Sequence, residues 1–368
     1  MKKKIKIIVS GGGTGGHIYP AISIANALKL KYSNCEILFV GAEGKMEMEK
    51  VPAAGYQIKG LPIRGLQRNF SRENLKFIGR LIKSLRLAKR IVNDFQPDIV
   101  VGVGGYASGP LLHVAAKLGI PSLIQEQNSY AGITNKLLSK RAQKICVAYE
   151  GMDKFFPKEK ILLTGNPVRN DLADIVTKKE EAIQYFELDT SKKTVLIVGG
   201  SLGARTINNS VLKSLALLAD SKIQFIWQTG KYYQEKIIKE LGNWDIPNLQ
   251  IHAFLSRMDL AYAASDMVIS RAGAGTISEI CLVGKPCILV PSPNVSEDHQ
   301  TKNAMALADV NAAVMVKDID AEDNLLKEAL QLMNDVERLS VLATNCKDLA
   351  KPNAANDIAD QILAMIKL

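Results

Sequence analysis

The chain has 368 residues, more than a single hydrophobic core usually serves, so two domains are expected. Hydrophobic residues make up 47% and charged residues 23%, a globular balance that excludes a disordered or fibrous chain. The net charge is +10, and the five scattered cysteines, without a C-x-x-C pair, exclude a disulfide framework or a zinc site. The cysteines are expected to be reduced thiols of a cytosolic protein.

The N-terminus is predicted to be a buried strand followed by a glycine-rich turn. MKKKIKIIVSGGG resembles the charged start of a signal peptide, but its apolar run is too short and glycines follow it. Gly11, Gly13 and Gly16 have the spacing of a dinucleotide fingerprint, whose backbone N–H groups cradle phosphate. An NAD site also expects an acid about 20 residues on, whereas Glu43 lies 32 residues past Gly11. The alternative is a tight turn without a ligand.

A basic segment lies between Arg64 and Arg90, where nine Lys and Arg residues stand against one acid, Glu73. This asymmetry indicates an anionic membrane surface or a nucleic acid as partner. Residues 72–92 are predicted to form an amphipathic helix; the alternative is an ordinary surface helix that packs on its own sheet. The apolar half of its wheel contains Leu75, Phe77, Ile78, Leu81, Ile82, Leu85 and Ala88, and the basic half contains Arg72, Lys76, Arg80, Lys83, Arg86 and Arg90, with Lys89 at the border.

The stretch from Ile99 to Ala116 carries no charge and is about as long as a short membrane span. Its glycines, Pro110 and the polar sequence GGYASG interrupt it, so a strand, a loop and a helix are predicted instead. The loop is another glycine-rich turn at the end of a strand.

The second half of the chain repeats the first. KTVLIVGGSLGAR, at 193–205, has the same order of buried strand, glycine-rich turn and helix as the N-terminus. The segment LTGNPVR lies between the halves, and its Asn-Pro step blocks helix and indicates a hinge near Pro167. We therefore predict domains at 1–166 and 167–351, followed by one amphipathic helix within 352–368.

SRAGAGTISE, at 270–279, predicts a further anion site. A strand ends there, Gly273 and Gly275 loosen the turn, and a helix begins on which pyrophosphate can sit. Glu279, about one turn further along, is then placed to accept hydrogen bonds from ribose hydroxyls. The alternative is a first-turn acid that complements the helix dipole.

Apolar, β-branched runs alternate with helix-period segments along the whole chain. Short, continuously apolar strands separated by helices indicate parallel sheets covered on both faces. The predicted fold class is α/β, with two Rossmann-like doubly wound domains. The runs include KIKIIVS, EILFVG, DIVVGVG, KICVAY, TVLIVGG, IQFIWQ, MVIS and CILVP.

These motifs resemble those of the MurG family, glycosyltransferases of peptidoglycan synthesis. TGGH, EQN and the late HQ and NA pair are far more specific than any glycine loop, and the motifs occur in family order. Leu202 departs from the pattern, because relatives often carry Gln there. The motifs are GGGTGGHIYPA at 11–21, GGYASGP at 104–110, EQNSYAGITNK at 126–136, GNPVR at 165–169, GGSLGAR at 199–205, SRAGAGTISE at 270–279 and HQTKNA at 299–304.

The resemblance implies the GT-B architecture, two Rossmann-like domains facing across a cleft, with the helix at 352–368 packing back on the first domain. The first domain would face the acceptor and the membrane, and the second would bind UDP-GlcNAc. The implied reaction is inverting transfer of N-acetylglucosamine to the C4 hydroxyl of the N-acetylmuramoyl group of undecaprenyl-pyrophosphoryl-MurNAc-pentapeptide (lipid I), giving lipid II and UDP. Inversion needs one direct displacement and no covalent nucleophile.

The resemblance also implies a set of substrate-binding residues. Read without it, Leu255 could be core, Gln300 a solvated helix residue and Arg169 a cap of the hinge. The implied residues are Leu255 for uracil through its backbone, Glu279 for ribose, Ser201 and Arg169 for the diphosphate, Asn128 and Gln300 for the sugar, Thr14, Gly15 and Gly16 closing over the sugar, and Gly105 and Tyr106 in the acceptor loop.

His17 is the leading candidate for the base that activates the acceptor hydroxyl, because it follows a glycine loop and imidazole titrates near neutral pH. His17 could instead only bind or orient substrate, and Glu126 is the alternative base. His299 and His252 are weaker candidates, since the second sits in a predicted strand, and His113 on a helix is expected to be structural. No His–carboxylate cluster with metal spacing is present, so neither a metal nor a cofactor is expected.

The partners implied are UDP-GlcNAc, lipid I, an anionic membrane surface, and cell-wall synthesis or division proteins. The implied location is peripheral, on the cytoplasmic side of the cell membrane. Nucleic acid is not expected, because the aromatic groups beside the basic segment are only Phe70 and Phe77.

Four other functions are alternatives. A UDP-GlcNAc 2-epimerase shares the architecture but leaves the basic surface unexplained. A GT-B transferase acting on diacylglycerol differs in its acceptor, and an NAD-dependent oxidoreductase would bind nicotinamide at the first glycine loop. A non-enzymatic nucleotide-binding regulator leaves the EQN and HQ motifs without a purpose.

Overall fold

The structure, a computed structural model, describes residues 3–65, 72–169, 172, 174–200, 202–242 and 244–366, with the backbone alone described at 72–76 and 296. The chain divides into two compact units. Unit 1 comprises Met1–Arg169 and Lys351–Leu368, and unit 2 comprises Asn170–Ala350.

Unit 1 is built on a parallel sheet in the order β3-β2-β1-β4-β5-β6-β7, counted over the described residues. Its strands are β1 (Ile5–Ser10), β2 (Cys35–Ala42), β3 (Gln57–Leu61), β4 (Ile99–Gly102), β5 (Ser122–Glu126), β6 (Lys144–Val147) and β7 (Ile161–Leu163). Its first helices are α1 (Gly15–Lys31), α2 (Glu47–Ala53), α3 (Arg72–Phe95), α4 (Ser108–Lys117) and α5 (Ile133–Ser139). The central strand shows why the runs are continuously apolar: Ile7 and Val9 pack into one core and Ile8 into the core on the opposite face.

Unit 2 repeats this plan with the order β10-β9-β8-β11-β12-β13 over its described part. Its strands are β8 (Thr194–Val198), β9 (Gln224–Gln228), β10 (Leu249–His252), β11 (Met267–Ser270), β12 (Cys287–Leu289) and β13 (Val314–Met315). Its helices are α6 (Lys179–Tyr185), α7 (Arg205–Lys213), α8 (Leu215–Ala219), α9 (Gln234–Leu241), α10 (Met258–Ala264), α11 (Ala274–Val283), α12 (His299–Ala308), α13 (Asp318–Asn334) and α14 (Val336–Asp348).

The final helix, α15 (Ala354–Met365), belongs to unit 1 although it follows unit 2 in the chain. Its buried residues Ile358, Ala359 and Ile362 join the core cluster that contains Ile24 and Leu28 of α1. Lys31 at the end of α1 pairs with Asp360 at 2.7 Å. The amphipathic pattern of the segment is therefore used in packing.

The strand order reverses at the same place in both sheets. β1 lies between β2 and β4, and β8 lies between β9 and β11. The chain therefore builds each sheet outward first on one side of this central strand and then on the other. Such a reversal opens a crevice at the carboxyl ends of the strands, where doubly wound proteins bind ligands. The loops after β1, β4, β8 and β11 all start at these edges.

Each apolar run named from the sequence forms a strand, and the predicted α/β class with two Rossmann-like domains is confirmed. The uncharged stretch at 99–116 becomes β4, a loop and α4, as expected. None of the described helices is long and apolar enough to cross a membrane.

The predicted helix at 72–92 is confirmed as α3, which continues to Phe95. Phe77, Leu81 and Leu85 pack against the core of unit 1. Ile78 and Ile82, assigned to the same half of the wheel, are instead exposed. The side chains of Arg72, Leu75 and Lys76, together with Arg68 and Phe70, lie outside the described residues.

Candidate functional site

The loop after β1 places His17 in the first turn of α1. Thr14 caps the helix in extended geometry, with φ −145°, and its carbonyl accepts the His17 N–H at 3.1 Å. The Thr14 hydroxyl lies 2.9 Å from Nδ1 of His17. One ring nitrogen is therefore held by the loop itself, which orients the imidazole and leaves Nε2 as its other polar atom.

The loop after β4 closes against the same imidazole. A Cβ built at Gly104 would lie 2.6 Å from Cδ2 and 2.8 Å from Nε2 of His17, so only glycine leaves room for the ring. A Cβ at Gly105 would lie 2.4 Å from the Gly12 carbonyl oxygen. Both glycines have positive φ, 91° and 86°, a region that other residues rarely adopt. The loops after β1 and β4 thus fit together through glycine backbone.

Ser108 fastens the second loop to the first strand. Its buried hydroxyl contacts two carbonyl oxygens, those of Ser10 at 2.9 Å and Gly104 at 2.8 Å. The neighbouring Tyr106 is 46% exposed and lies against Gly65, where a Cβ would come within 2.3 Å of its ring. The predicted acceptor-loop residues Gly105 and Tyr106 are therefore held close to His17 by short backbone contacts.

Glu126, the alternative base, ends β5 and is only 2% exposed. One carboxylate oxygen accepts the backbone and side-chain N–H groups of Asn128 at 3.1 and 3.2 Å. The other accepts the backbone N–H of Gly132 at 3.0 Å and the Asn135 amide at 2.9 Å. Burial raises the pKa of Glu126, while these donors act in the opposite direction. The carboxylate organises the EQNSYAGITNK loop and orients the Asn128 amide.

The hinge segment is tied to the same loop. Gln125 donates to the Asn166 side chain at 3.0 Å, and both residues are buried. Asn166 in turn donates to the Gln127 carbonyl at 3.5 Å. Arg169 lies three residues after Asn166 and is partly buried. It is the last residue of the first segment of unit 1.

In unit 2, the side chain of Gln228 joins two loops of the predicted nucleotide site. Its amide donates to the Gly200 carbonyl at 2.9 Å, in the loop after β8. Its carbonyl oxygen accepts the Leu255 N–H at 2.9 Å, beyond β10. The Leu255 side chain is buried, as expected if it is a core residue, and its backbone lies in a loop. Ser201 lies outside the described residues.

Glu279 lies in the second turn of α11. The helix starts at Ala274 and has no acidic residue in its first turn, so the interpretation of Glu279 as a first-turn acid is wrong. The fully buried Tyr262 donates its hydroxyl to Glu279 at 3.1 Å. This hydrogen bond orients the Glu279 carboxylate. The first turn of α11 contains no acidic residue, so its backbone N–H groups have no carboxylate from that turn beside them.

The start of α12 is shaped by an unusual turn. Glu297 and Asp298 both have left-handed backbone geometry, with φ 56° and 51°. Gln300 follows, and its side-chain oxygen accepts the Ser292 N–H at 2.9 Å, so it is not merely a solvated helix residue. The loop after β11 is anchored separately, because Arg271 donates to the Val290 carbonyl at 3.1 Å.

His252 and His113 both lie among structural contacts in secondary-structure elements. His252 is in β10, as predicted, and its ring lies 5.8 Å from the Phe186 ring in an edge-on arrangement. Burial lowers the pKa of His252. His113 is in α4, beside Arg141, and burial with nearby cations lowers its pKa. Among the described residues, no group of three or more His, Cys, Asp or Glu side chains is arranged to hold a metal.

Three residues that contact the predicted site were not identified from the sequence. Gln228 and Tyr262 each orient a predicted substrate-binding residue, and Glu47 accepts the Gly13 N–H in the loop that leads to His17. Their roles depend on hydrogen bonds between segments far apart in the chain. The spacing of one sequence carries no signal for such contacts.

Comparison with known proteins identifies the family. Residues 7–147 match the glycosyltransferase family 28 N-terminal domain, and residues 194–362 match the C-terminal domain of that family. A Parabacteroides distasonis protein named UDP-N-acetylglucosamine–N-acetylmuramyl-(pentapeptide) pyrophosphoryl-undecaprenol N-acetylglucosamine transferase is 58% identical over 364 residues, covering 99% of each chain. A Phocaeicola vulgatus relative of the same name is 56% identical, covering 99% of this chain and 97% of its own.

A solved structure agrees with these relatives. The crystal structure of Acinetobacter baumannii MurG matches with a TM-score of 0.79 at 29% identity, covering 98% of this chain and 100% of that one. The resemblance to the MurG family is confirmed. The chain belongs to glycosyltransferase family 28.

Proposed function

We propose that the chain transfers N-acetylglucosamine from UDP-GlcNAc to the C4 hydroxyl of the N-acetylmuramoyl group of lipid I, with inversion, giving lipid II and UDP. The observation that carries this proposal is the 58% identity, over nearly the whole chain, to a relative that bears the name of this transferase. Two further features support the proposal. Unit 2 has loops of the kind that bind a nucleotide donor, and unit 1 has a histidine that glycine-rich loops hold in place and that can serve as the base.

The donor is assigned to unit 2. The first turn of α11 has no acid, so its N–H groups and dipole can take the diphosphate. Glu279, oriented by Tyr262, accepts hydrogen bonds from the ribose. Because the Leu255 N–H is donated to Gln228, the Leu255 carbonyl is the backbone group left to pair with N3–H of uracil.

The remaining substrate contacts are proposed from the family pattern. Asn128 is supported by its tie to Glu126, which presents its amide in one orientation. The other assignments are Arg169 and Ser201 at the diphosphate, Gln300 at the sugar, Thr14, Gly15 and Gly16 over the sugar, and Gly105 and Tyr106 in the acceptor loop.

His17 is proposed as the general base. In the tautomer that donates Nδ1–H to the Thr14 hydroxyl, the lone pair lies on Nε2, and in this proposal Nε2 takes the proton of the C4 hydroxyl. The C4 oxygen then bonds to the anomeric carbon as the bond to UDP breaks. UDP leaves with the electron pair, and the single displacement inverts the configuration. Glu126 is less suited, because four N–H groups already occupy its oxygens.

The function is tested by incubating radiolabelled UDP-GlcNAc with a short-chain lipid I analogue and separating the products. We expect label in a disaccharide lipid together with one equivalent of UDP. UDP-GlcNAc epimerised without acceptor, or label transferred only to diacylglycerol, would establish a rival function.

Replacing His17 by alanine removes the proposed base. The kcat should fall by about 10²–10⁴-fold, the usual contribution of general-base catalysis, with little change in the KM for UDP-GlcNAc. His113→Ala is the matched control, since this histidine of unit 1 contacts Arg141, and its kcat should stay that of the unmutated enzyme. An unaltered kcat in His17→Ala would contradict the assignment.

Nucleotide selection should depend on Glu279 and on the hydroxyl that orients it. Calorimetry should show UDP bound about 1.5–3 kcal/mol more weakly by Glu279→Ala and about 0.5–1.5 kcal/mol more weakly by Tyr262→Phe, because each change removes hydrogen bonding at the ribose. Tyr185→Phe, on the exposed side of unit 2, is the control. If the unmutated protein binds UDP and 2′-deoxy-UDP equally, Glu279 does not recognise the 2′-hydroxyl.

We also propose that α3 attaches the enzyme peripherally to the anionic cytoplasmic membrane surface. Ile78 and Ile82, one helical turn apart, are 61% and 45% exposed. Lys83, Arg86 and Lys89 are exposed on the same helix. Exposed apolar groups beside basic ones are typical of helices that lie in the membrane interface. Such a helix would bring the enzyme to the membrane surface, where a lipid-linked acceptor is anchored.

Sedimentation with anionic and neutral vesicles across a salt series tests this attachment. Each basic residue near an anionic surface is worth about 1 kcal/mol, so Lys83→Glu with Arg86→Glu should greatly weaken binding to anionic vesicles. Lys236→Glu with Lys239→Glu on α9 makes the same change in net charge and should leave binding unchanged. Binding that ignores lipid charge, salt and the α3 substitutions would show that α3 is only scaffold.

A further inference from the structure

Glu47, the first residue of α2, is a completely buried carboxylate at the carboxyl edge of the unit 1 sheet. One of its oxygens accepts the N–H of Ala42, the last residue of β2, at 2.9 Å. The other accepts the N–H of Gly13, in the loop after β1, also at 2.9 Å. Acceptance by both oxygens is the pattern of an ionised carboxylate. Burying such a group is costly unless it is well bonded, so these two contacts are needed.

Two glycines make room for this side chain. A Cβ built at Gly12 would lie 2.1 Å from a Glu47 oxygen, and a Cβ at Gly41 would lie 2.5 Å from its Cγ. Gly12 follows β1 by two residues, and Gly41 lies within the neighbouring β2. The loop that leads to α1 is therefore folded directly around the Glu47 carboxylate.

The bond to Gly13 fixes the loop at the point where it turns. Gly13 has φ +88°, a left-handed geometry, and the next residue is Thr14, whose hydroxyl contacts His17. From these contacts we infer that Glu47 is a positioning residue for catalysis: it holds the loop so that Thr14 and the His17 ring are presented to the acceptor. The inference rests on the proposed function, in which His17 is the base. Glu47 itself contacts neither substrate.

The test compares Glu47→Gln with a carboxylate that makes the same kind of bond elsewhere. Glutamine keeps one acceptor oxygen but turns an NH₂ group toward the second backbone N–H, so one contact is lost. The control is Asp98→Ala, which removes the acceptor altogether, because Asp98 accepts the Lys6 N–H at 2.7 Å at the opposite end of β1. Both variants lose a carboxylate–backbone bond in the same sheet, but Asp98 lies far along β1 from the His17 loop.

For Glu47→Gln, the kcat at saturating UDP-GlcNAc should fall by about 10- to 100-fold, the scale of a misplaced catalytic group, while the donor KM stays nearly constant. Asp98→Ala should lose thermal stability but keep its kcat. The loss in Glu47→Gln should persist at low temperature, where a deficit caused by partial unfolding would vanish. If Glu47→Gln does not fold, Glu47→Asp keeps the charge with a shorter reach and should show the same split.

A double-mutant cycle separates positioning from simple structural support. If Glu47 acts through His17, the kcat of His17→Ala with Glu47→Gln should equal that of His17→Ala alone, because the base is already absent. Additive losses, or an unchanged kcat per folded molecule in the single variant, would overturn the inference. The unmutated enzyme in the same assay tests the proposed function by itself: if it transfers no N-acetylglucosamine, the proposed function fails, whatever the Glu47 variants do.

Discussion

Within each sheet, close backbone contacts that only glycine permits join the loops at the carboxyl edge. In unit 1 a Cβ at Gly105 would lie 2.4 Å from the Gly12 oxygen, and in unit 2 a Cβ at Gly203 would lie 2.1 Å from the Thr229 oxygen. A Cβ at Gly230 would lie 2.4 Å from the Gly203 nitrogen. Since the strand order reverses at β1 and at β8, these are the edges at which a ligand crevice forms. Loops packed this tightly can present side chains such as His17 in one orientation, because neither loop can shift without the other.

The sequence predicted most of the inner strands because burial on both faces favours apolar residues. β4 is an apolar run, β1 and β8 contain such runs at 7–9 and 195–198, and each was named from its composition. The edge strand β3 was not, because its sequence QIKGL alternates exposed and partly buried residues, as one solvated side allows. The helical wheel of α3 grouped Ile78 and Ile82 with residues that pack on the sheet, and it could not show that these two are exposed. A helical period gives a direction on the helix, but the extent of the sheet beneath decides which apolar residues are covered.

The sequence could not assign roles to the acids of unit 1. Glu47 and Glu126 are both acids near the carboxyl ends of strands, and nothing in the motifs separates a base from a support. The structure gives each the same physical role, since each carboxylate accepts backbone N–H groups where a strand passes into a loop. Backbone N–H groups in a loop lack the partner that a neighbouring strand would supply, so they need another acceptor. The sequence predicted where such loops would be, but the pairing of donor and acceptor, such as Gly13 with Glu47, depends on tertiary structure.

The G-x-G-x-x-G spacing at 11–16 is shared with dinucleotide-binding proteins, whose glycine loop meets pyrophosphate with free N–H groups. Here the Gly13 N–H is donated to Glu47, and the Glu47 carboxylate lies where a Cβ of Gly12 would be. A pyrophosphate brought to this loop would find a donor already used and a negative charge beside it, and in a buried setting that repulsion is poorly screened. The first turn of α11 has no such acid. The same glycine spacing is therefore compatible with different surroundings, and the buried acid beneath the first loop argues against the dinucleotide site that the oxidoreductase alternative requires.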